Sequence, residues 1–273
     1  MMDTSRSGTD RLKGKVALIT GAARPRGMGY TTGRLFAGHG AKVILTDLDD
    51  RVFERADELN AEGYAAVGFK ADLTVSRETN EMVRKVVDRF HRIDILCNAA
   101  GGSVPPRPKF LDLSEEYWNM VMDRNLRTTF NCCKAVVPYM VEQKYGKIVN
   151  ISSITGTKVA YRYSTAYAAS KGAVSAFTRA LALEMGEYNI TVNAVSPGDI
   201  DTADKEWTPG GAPQNLGDLT PHLRPPVSRP GRPEEIADLA LFLSTDDSRF
   251  ITGAEIVIDG GATVVEPYPT PPK

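Results

Sequence analysis

Short apolar segments alternate with amphipathic helical segments from one end of the chain to the other. The apolar segments are rich in β-branched residues and are predicted to be strands, over 15–20, 42–46, 65–70, 93–97, 147–152, 191–196 and 255–258. Helices are predicted between them, over 30–37, 50–62, 76–90, 114–145 and 164–186, and from 233 onward. This alternation is typical of a parallel sheet covered by helices on both faces. We therefore expect an α/β fold, a single-domain, Rossmann-like, doubly wound parallel sheet of about seven strands.

Length and charge narrow the functional classes. With 273 residues the chain is long enough for one large domain with a full core. The charges of its 33 basic and 34 acidic residues nearly cancel, so the sequence has no excess of positive charge that would favour binding to nucleic acid or to an anionic membrane. No run of apolar residues comes near the length of about 18 residues that a membrane-spanning helix needs. We expect a cytoplasmic protein with a small-molecule substrate, and neither nucleic acid nor membrane among its partners.

Cysteine and histidine usage argues against disulfides and metals. The cysteines, Cys97, Cys132 and Cys133, are odd in number and two are adjacent, which favours a reducing compartment. The 3 histidines are scattered, and no Cys/His cluster has metal-ligand spacing. Residues 1–13 are polar and are expected to form an N-terminal tail, not a signal peptide. The domain is expected to span 14–262, followed by a proline-rich tail over 263–273.

A glycine-rich turn follows the first predicted strand and opens the first predicted helix. Gly21, Gly27 and Gly29 stand in this turn. Glycines let the backbone approach a pyrophosphate closely, and the free N–H groups of a helix start face the anion. The pattern predicts dinucleotide binding; a plain strand-to-helix turn is the alternative.

The second predicted strand ends in Asp47, where a carboxylate can accept hydrogen bonds from the adenosine ribose. The same carboxylate would repel a 2′-phosphate, which favours NAD over NADP as cofactor. One alternative is an aspartate that only caps the next helix. Arg24 and Arg26 point toward NADP, because either could reach a 2′-phosphate.

A tyrosine and a lysine share one face of a predicted helix, downstream of Ser153. Tyr167 and Lys171 are four residues apart, so their side chains are neighbours. A cation there lowers the pKa of the phenol from its usual value of about 10. Bringing that pKa near 7 requires roughly 4 kcal/mol, so a bound cationic cofactor would help. Taken alone, the pair is also typical of an ordinary helix surface.

These motifs occur together in the order typical of the short-chain dehydrogenase/reductase family, which the chain resembles over Lys13 to Ala262. The motifs are Thr20-Gly21 with Gly27-Met28-Gly29, Asp72-Leu73, Asn98-Ala99-Ala100-Gly101, Asn125, Ser153, Tyr167 with Lys171, Pro197-Gly198-Asp199-Ile200-Asp201-Thr202, and Ile251-Thr252-Gly253 with Asp259-Gly260-Gly261. The resemblance implies an NAD(P)-dependent alcohol dehydrogenase or ketone reductase. It also implies a homotetramer or a homodimer.

The resemblance further implies a role for each matched residue. Tyr167 would be the acid/base, and Lys171 would hold the nicotinamide ribose and tune Tyr167. Ser153 would orient the substrate oxygen, and Asn125 would hold a water that connects Lys171 to bulk solvent. The residues expected to contact the cofactor are Gly21, Arg24, Gly27, Met28, Gly29, Asp47, Leu48, Asp72, Leu73, Asn98, Ala99, Ala100, Gly101, Tyr167, Lys171, Pro197, Gly198, Ile200 and Thr202.

Three features depart from the family pattern. The loop Ala22 to Arg26 is longer than usual, which is expected to alter the adenosine-phosphate side of the cofactor site. Ala99 stands where the family has a second asparagine. The segment between Ser153 and Tyr167 is also longer than usual, which should reshape one wall of the substrate pocket.

Residues beside the motifs are expected to line the substrate pocket, and 199–232 is expected to form a substrate loop. The candidate wall residues are Gly102, Ser103, Thr155, Tyr161, Tyr163, Asp199 and Trp207. Their mixed polar and aromatic character predicts a small or medium secondary alcohol or ketone. An NADPH-dependent 3-oxoacyl thioester reductase is the nearer alternative, and a non-catalytic dinucleotide sensor is the more distant one.

Overall fold

The computed structural model describes residues 10–202 and 225–264, and in this part of the chain seven parallel strands form one sheet. The strands are β1 Val16–Thr20, β2 Lys42–Asp47, β3 Ala66–Lys70, β4 Ile95–Asn98, β5 Gly146–Ile151, β6 Ile190–Pro197 and β7 Glu255–Ile258. The helices are α1 Met28–Gly38, α2 Arg51–Ala61, α3 Ser76–Phe90, α4 Glu115–Met122, α5 Thr128–Gln143, α6 Thr165–Met185 and α7 Pro233–Ser244.

The strand order is β3-β2-β1-β4-β5-β6-β7, so the winding reverses beside β1, between β2 and β4. Strands β1, β4 and β5 are buried along their whole length, as expected when helices cover both faces of a parallel sheet. The predicted doubly wound, Rossmann-like sheet is confirmed. In such sheets, ligands bind at the carboxyl ends of the strands, next to the reversal.

Two apolar cores fill the two faces of the sheet. Alternate residues of each strand enter opposite cores, as the pleat of a strand requires: Ile19 joins one and Leu18 the other. Helices α1, α2 and α7 cover the first core, and α3, α5 and α6 cover the second. The three cysteines are free and buried.

Most predicted boundaries agree with the structure within a residue or two, and two need correction. β4 begins at Ile95, not at Ile93, because the Gln143 side chain binds the Ile93 backbone on both its N–H (3.1 Å) and its carbonyl (3.0 Å). The predicted helix over 114–145 is not uniformly α-helical. A π-helical segment, Asp123–Arg127, lies between α4 and α5 and contains Asn125.

Within 10–202 and 225–264, no helix has the length and apolar character needed to cross a membrane.

Candidate active site

Three of the four expected catalytic side chains meet beyond the carboxyl end of β5. Ser153 follows this strand and Tyr167 lies in the first turn of α6, and the Ser153 side chain is near enough to lower the pKa of the Tyr167 phenol. The Nζ of Lys171 lies 6.0 Å from the centre of the Tyr167 ring. The Ser153 Oγ also accepts a hydrogen bond of 3.1 Å from the N–H of Thr155, which fixes its rotamer.

Lys171 is a buried cation with a backbone partner. Its Nζ donates a hydrogen bond of 2.7 Å to the carbonyl oxygen of Ile151, the last residue of β5. Burial lowers the pKa of Lys171 to about 8, because the low dielectric disfavours the ammonium.

The pKa of Tyr167 is raised above its usual value, which corrects the expectation that its lysine neighbour lowers it. Burial is the main cause, since it penalises the phenolate, while the hydrogen bond with Ser153 and the positive charge of Arg107 act in the opposite direction. The Lys171 ammonium is directed at the Ile151 carbonyl, which explains why it does little for the phenol. In the cofactor-free protein Tyr167 is therefore a protonated phenol at neutral pH.

Asn125 is fully buried and is bonded to the segment that follows β4. Its Oδ1 accepts a hydrogen bond of 2.9 Å from the N–H of Gly102, and its Nδ2 donates to the carbonyls of Gly102 (3.2 Å) and Val121 (2.9 Å). Gly101, with φ of 137°, allows this close approach, because a Cβ on it would lie 2.6 Å from the Asn125 Oδ1. The asparagine thus anchors the Gly101–Gly102 backbone, and its role in holding a water stays a prediction.

The glycine turn brings α1 against the end of β1. Gly21 has φ of 69°, and a Cβ on it would lie 2.8 Å from the backbone nitrogen of Ala100. A Cβ on Gly29 would lie 2.7 Å from the Thr20 carbonyl oxygen. The Thr20 hydroxyl accepts hydrogen bonds from the N–H groups of Ala99 and Ala100, at 3.0 and 2.9 Å, and joins this turn to the end of β4. Helix α1 begins at Met28 without a side-chain cap and without an acidic residue in its first turn.

Asp47 braces the glycine turn from the end of β2. Its carboxylate accepts hydrogen bonds from the N–H groups of Ala23 (3.0 Å) and Asp49 (3.2 Å), so it serves the cofactor turn and not only the next helix. Leu48 beside it is 61% exposed. Arg26 forms an ion pair of 2.7 Å with Asp201, which ties the long glycine loop to the segment after β6.

Two residues expected to contact the cofactor also have side-chain hydrogen bonds within the protein. The Asp72 Oδ1 accepts hydrogen bonds from the N–H (2.9 Å) and hydroxyl (2.6 Å) of Thr74, next to the buried Leu73. The amide of Asn98 is buried and donates to the Asn150 Oδ1 at 2.8 Å. The buried Oδ1 of Asn98 has no hydrogen-bond partner among the described residues, and the cofactor contacts of both residues stay predictions.

The segment after β6 lies next to the end of β7. Gly198 donates its N–H to the Ile258 carbonyl at 3.0 Å, directly after Pro197 ends β6. Ile200 forms a parallel bridge with Gly231, and the Thr202 N–H donates to the Ile200 carbonyl at 2.9 Å. Trp207 lies outside the described residues.

A cleft opens on Tyr167. Its lining residues are Ser103, Val104, Arg107, Pro108, Leu113, Tyr117, Tyr163, Ser164, Thr165, Ala166 and Tyr167. Of the predicted wall residues, the cleft includes Ser103 and Tyr163, whose left-handed φ of 63° is uncommon for a bulky side chain.

Three other predicted wall residues, Thr155, Tyr161 and Asp199, do not line this cleft. Thr155 is buried and forms a bridge with Val159. Burial raises the pKa of Tyr161, with a smaller contribution from the nearby charge of Asp199. Burial likewise raises the pKa of Asp199.

Arg107 and Tyr117 are two of the lining residues that were not predicted from the sequence. The Tyr117 hydroxyl hydrogen-bonds to the Val104 carbonyl and so holds the segment after β4 against α4. A cation between two prolines, five residues after Gly102 in the segment that follows β4, is a signal that could have pointed to Arg107.

A doubly wound sheet with a glycine turn after its first strand and a Ser–Tyr–Lys cluster at its carboxyl edge defines an oxidoreductase that uses a nicotinamide cofactor. A family model described as enoyl-(acyl carrier protein) reductase matches residues 21–263. The chain belongs to the short-chain dehydrogenase/reductase family, whose members act on CH–OH or keto groups.

Known relatives include enzymes named for different substrates. The 3-oxoacyl-[acyl-carrier-protein] reductase FabG of Thermotoga maritima is 41% identical over 258 residues, 93% of this chain and 100% of the relative. The cyclohexanol dehydrogenase of Rhodococcus sp. is 39% identical over 270 residues, 92% of this chain and 97% of the relative. The crystal structure of gox2181 superposes with a TM-score of 0.85 at 34% identity and covers 93% of this chain and 97% of its own.

Proposed function

We propose that this chain transfers a hydride between NAD and a small or medium secondary alcohol or ketone, with Tyr167 as the acid/base. The observation that carries the proposal is the position of the Tyr167 hydroxyl. Tyr167 lines the cleft, the Ser153 side chain is near enough to lower the pKa of its phenol, and the Lys171 ammonium lies one helical turn along, 6.0 Å from the ring centre.

The residues around the glycine turn fit a dinucleotide. Gly21 and Gly29 leave no room for a Cβ, so the backbone of the turn is as close as it can be to its neighbours. The N–H groups at the start of α1 have no side-chain cap and face no acidic residue in the first turn, which suits an anionic pyrophosphate. The glycine turn with Met28 would hold the pyrophosphate, and Asp47 would hold the adenosine ribose.

The proton steps belong to this chain's own side chains. In oxidation the Tyr167 phenolate takes the alcohol proton, while the Ser153 hydroxyl donates a hydrogen bond to the substrate oxygen. In reduction the Tyr167 phenol gives its proton to the forming alkoxide. A bound nicotinamide supplies the hydride acceptor or donor and, when oxidised, a positive charge near the phenol.

That positive charge is needed because burial raises the pKa of Tyr167. Lys171 contributes a second cation, and its pKa of about 8 leaves most of it protonated at neutral pH. Asn125 would position the Gly101–Gly102 backbone beside this group.

NAD is the preferred cofactor in this proposal. The Asp47 carboxylate lies at the end of β2, where it would repel a 2′-phosphate, and Arg26 already pairs with Asp201. The NADPH-dependent 3-oxoacyl thioester reductase remains the second candidate, because the Thermotoga relative carries that name. Initial rates with NADH and with NADPH on an acetoacetyl thioester separate the two candidates.

A non-catalytic dinucleotide sensor is disfavoured, because a sensor has no need of an aligned Ser153, Tyr167 and Lys171. A homotetramer or homodimer and a cytoplasmic location also stay part of the proposal.

A panel of secondary alcohols with NAD, followed by the absorbance of the NADH formed, tests the proposed activity. We expect turnover of small cyclic or short-chain secondary alcohols, in keeping with the cyclohexanol dehydrogenase relative. No turnover of any alcohol, and no reduction of the matching ketones, would contradict the proposal.

A further inference from the structure

Among the described residues that line the cleft, Arg107 is the one that carries a formal charge. The other lining residues are aliphatic, aromatic or hydroxyl-bearing, with no carboxylate among them. A cleft whose one formal charge is positive is complementary to an anionic group. Arg107 and the acid/base candidate Tyr167 line the same cleft. A ligand bound in this cleft can therefore contact both side chains.

The Nε of the Arg107 guanidinium is hydrogen-bonded within the protein, while its two terminal nitrogens can bind a carboxylate. Its Nε donates a hydrogen bond of 3.0 Å to the Ser103 hydroxyl, another lining residue. In the part of the chain that the structure describes, no acidic side chain forms an ion pair with it. Since Nε is taken, the two terminal nitrogens stay available as a parallel pair of donors, the geometry that binds a carboxylate with both oxygens.

The backbone around Arg107 is stiff. Pro106 precedes it and Pro108 follows it, so proline rings restrict the main chain on both sides. The Tyr117 hydroxyl bonds to Val104 and fastens the start of this segment to α4. A cation presented on a pre-ordered segment loses little entropy when it binds a ligand.

The field of Arg107 reaches the reacting group. Its positive charge lowers the pKa of Tyr167, and also that of Tyr117, in each case against a larger rise caused by burial. Arg107 is exposed and Tyr167 is half-buried, so a ligand can reach the guanidinium from solvent and contact the phenol in the same cleft.

We propose that Arg107 is a specificity-determining residue that binds a carboxylate on the substrate, so that the substrates are small hydroxy acids and their oxo acids. This inference rests on the proposed function, because the carboxylate belongs to the same substrate whose hydroxyl group contacts Tyr167.

Matched pairs of substrates test this proposal. Each pair consists of a short hydroxy acid and its uncharged amide, for example 3-hydroxybutyrate with 3-hydroxybutyramide, and 4-hydroxypentanoate with 4-hydroxypentanamide. We expect kcat/KM for the best acid to exceed that for its amide by about tenfold, the value of one charge-assisted pair that becomes partly desolvated on binding. Arg107→Met should abolish this preference by slowing the acid about tenfold while changing the amide little.

Two further variants distinguish recognition from structural damage. Arg107→Lys keeps the charge but not the paired donors, so it should recover part of the preference for the acid. Arg84→Met removes an exposed arginine on α3 and should leave both rates unchanged. A preference that survives Arg107→Met, or an equal loss of rate for acid and amide, overturns the assignment of Arg107.

Binding measured without turnover completes the test. Benzoate and benzamide are titrated against the full-length protein by ligand-observed NMR, and we expect the wild type to favour benzoate and Arg107→Met to favour neither. Equal affinities in the wild type overturn the proposal even if no alcohol in the panel reacts. Conversely, neutral alcohols that react as well as the acids leave the oxidoreductase function standing and exclude the carboxylate subsite.

Discussion

Lys171 Nζ lies 6.0 Å from the centre of the Tyr167 ring, and its hydrogen bond of 2.7 Å goes to the carbonyl of Ile151. The lysine therefore lies beside the phenol but does not offset the rise in the phenol pKa that burial causes. Burial raises the pKa of Tyr167 and lowers that of Lys171 to about 8, so both groups favour their uncharged forms more than they do in water. The pair is arranged to respond to a charge that arrives with the cofactor.

The lowered pKa of Lys171 predicts a pH-dependent stability. Its folded pKa of about 8 is below the value of about 10.4 for an unfolded chain, so the unfolded state binds more protons between these limits. Stability should rise with pH across this window, by up to roughly 3 kcal/mol for a shift of this size. Lys171→Met lacks this contribution, so the wild type should gain stability relative to the variant as the pH rises from about 7 to about 10.

Urea unfolding of the cofactor-free protein measures this difference. Lys85→Met, which removes an exposed lysine on α3, is the matched control and should keep the wild-type pH slope. Other groups with raised or lowered pKa values, such as Lys147 and Tyr145, remain in every variant and cancel in the comparison. Identical slopes for wild type and Lys171→Met would refute the assignment of a lowered pKa to Lys171.

Gly21 should tolerate no side chain. Gly21→Ala adds a Cβ at 2.8 Å from the Ala100 backbone and also strains a left-handed φ of 69°. Gly14→Ala strains a similar φ of 76°, but its Cβ would lie in open space. It therefore measures the cost of backbone strain alone, roughly 1–2 kcal/mol. We expect Gly21→Ala to be less stable than Gly14→Ala and to lose NAD affinity, as measured by urea unfolding and by NADH fluorescence titration. Equal behaviour of the two variants would argue against a close-packed turn.

The sequence was sufficient to predict the doubly wound parallel sheet with helices on both faces and the glycine turn after its first strand. These features depend on local periodicity and on motifs at the ends of strands, and both signals lie within short stretches of sequence. The burial of Asn125 could not be predicted, because its partner Gly102 is distant in sequence and the intervening π-helical turn has no sequence signature.

The cleft lining was predicted poorly for a related reason. Thr155 and Asp199 stand next to motif residues in sequence, but neither lines the cleft in the folded protein. Arg107 and Tyr117 come from two separate segments that meet only in the folded protein. The pKa of Tyr167 was predicted in the wrong direction, because spacing shows the lysine but not the burial of the phenol or the carbonyl that the lysine binds.

Asn125 is expected to support activity through the Gly102 backbone. Asn125→Ala removes three hydrogen bonds from a buried segment and should destabilise the protein by about 1–3 kcal/mol. Asn131→Ala on the next helix also loses buried bonds, to the carbonyls of Leu73 and Thr74, away from the cleft. The two variants should lose similar stability, but only Asn125→Ala should lose kcat as well. A similar kcat for both would show that Asn125 has no part in the active site beyond folding.

Asp47 is expected to set the cofactor preference. Asp47→Ser removes the charge that would repel a 2′-phosphate, so the ratio of kcat/KM for NADP to that for NAD should rise about tenfold or more. Asp50→Ser is the control, because it removes an exposed carboxylate that pairs with Lys70 nearby on the surface. Saturation kinetics with both cofactors give the ratio, and a wild type that already prefers NADP would contradict the preference proposed for NAD.

Tyr167→Phe tests the central claim most directly, because it removes one hydroxyl and keeps the ring. With the best alcohol of the panel, we expect kcat to fall by about 10²- to 10⁴-fold, the usual contribution of a positioned acid/base. The NAD dissociation constant should change little, and Tyr188→Phe, far from the cleft, should behave as wild type. A Tyr167→Phe enzyme that binds NAD normally and keeps a wild-type kcat would contradict the account.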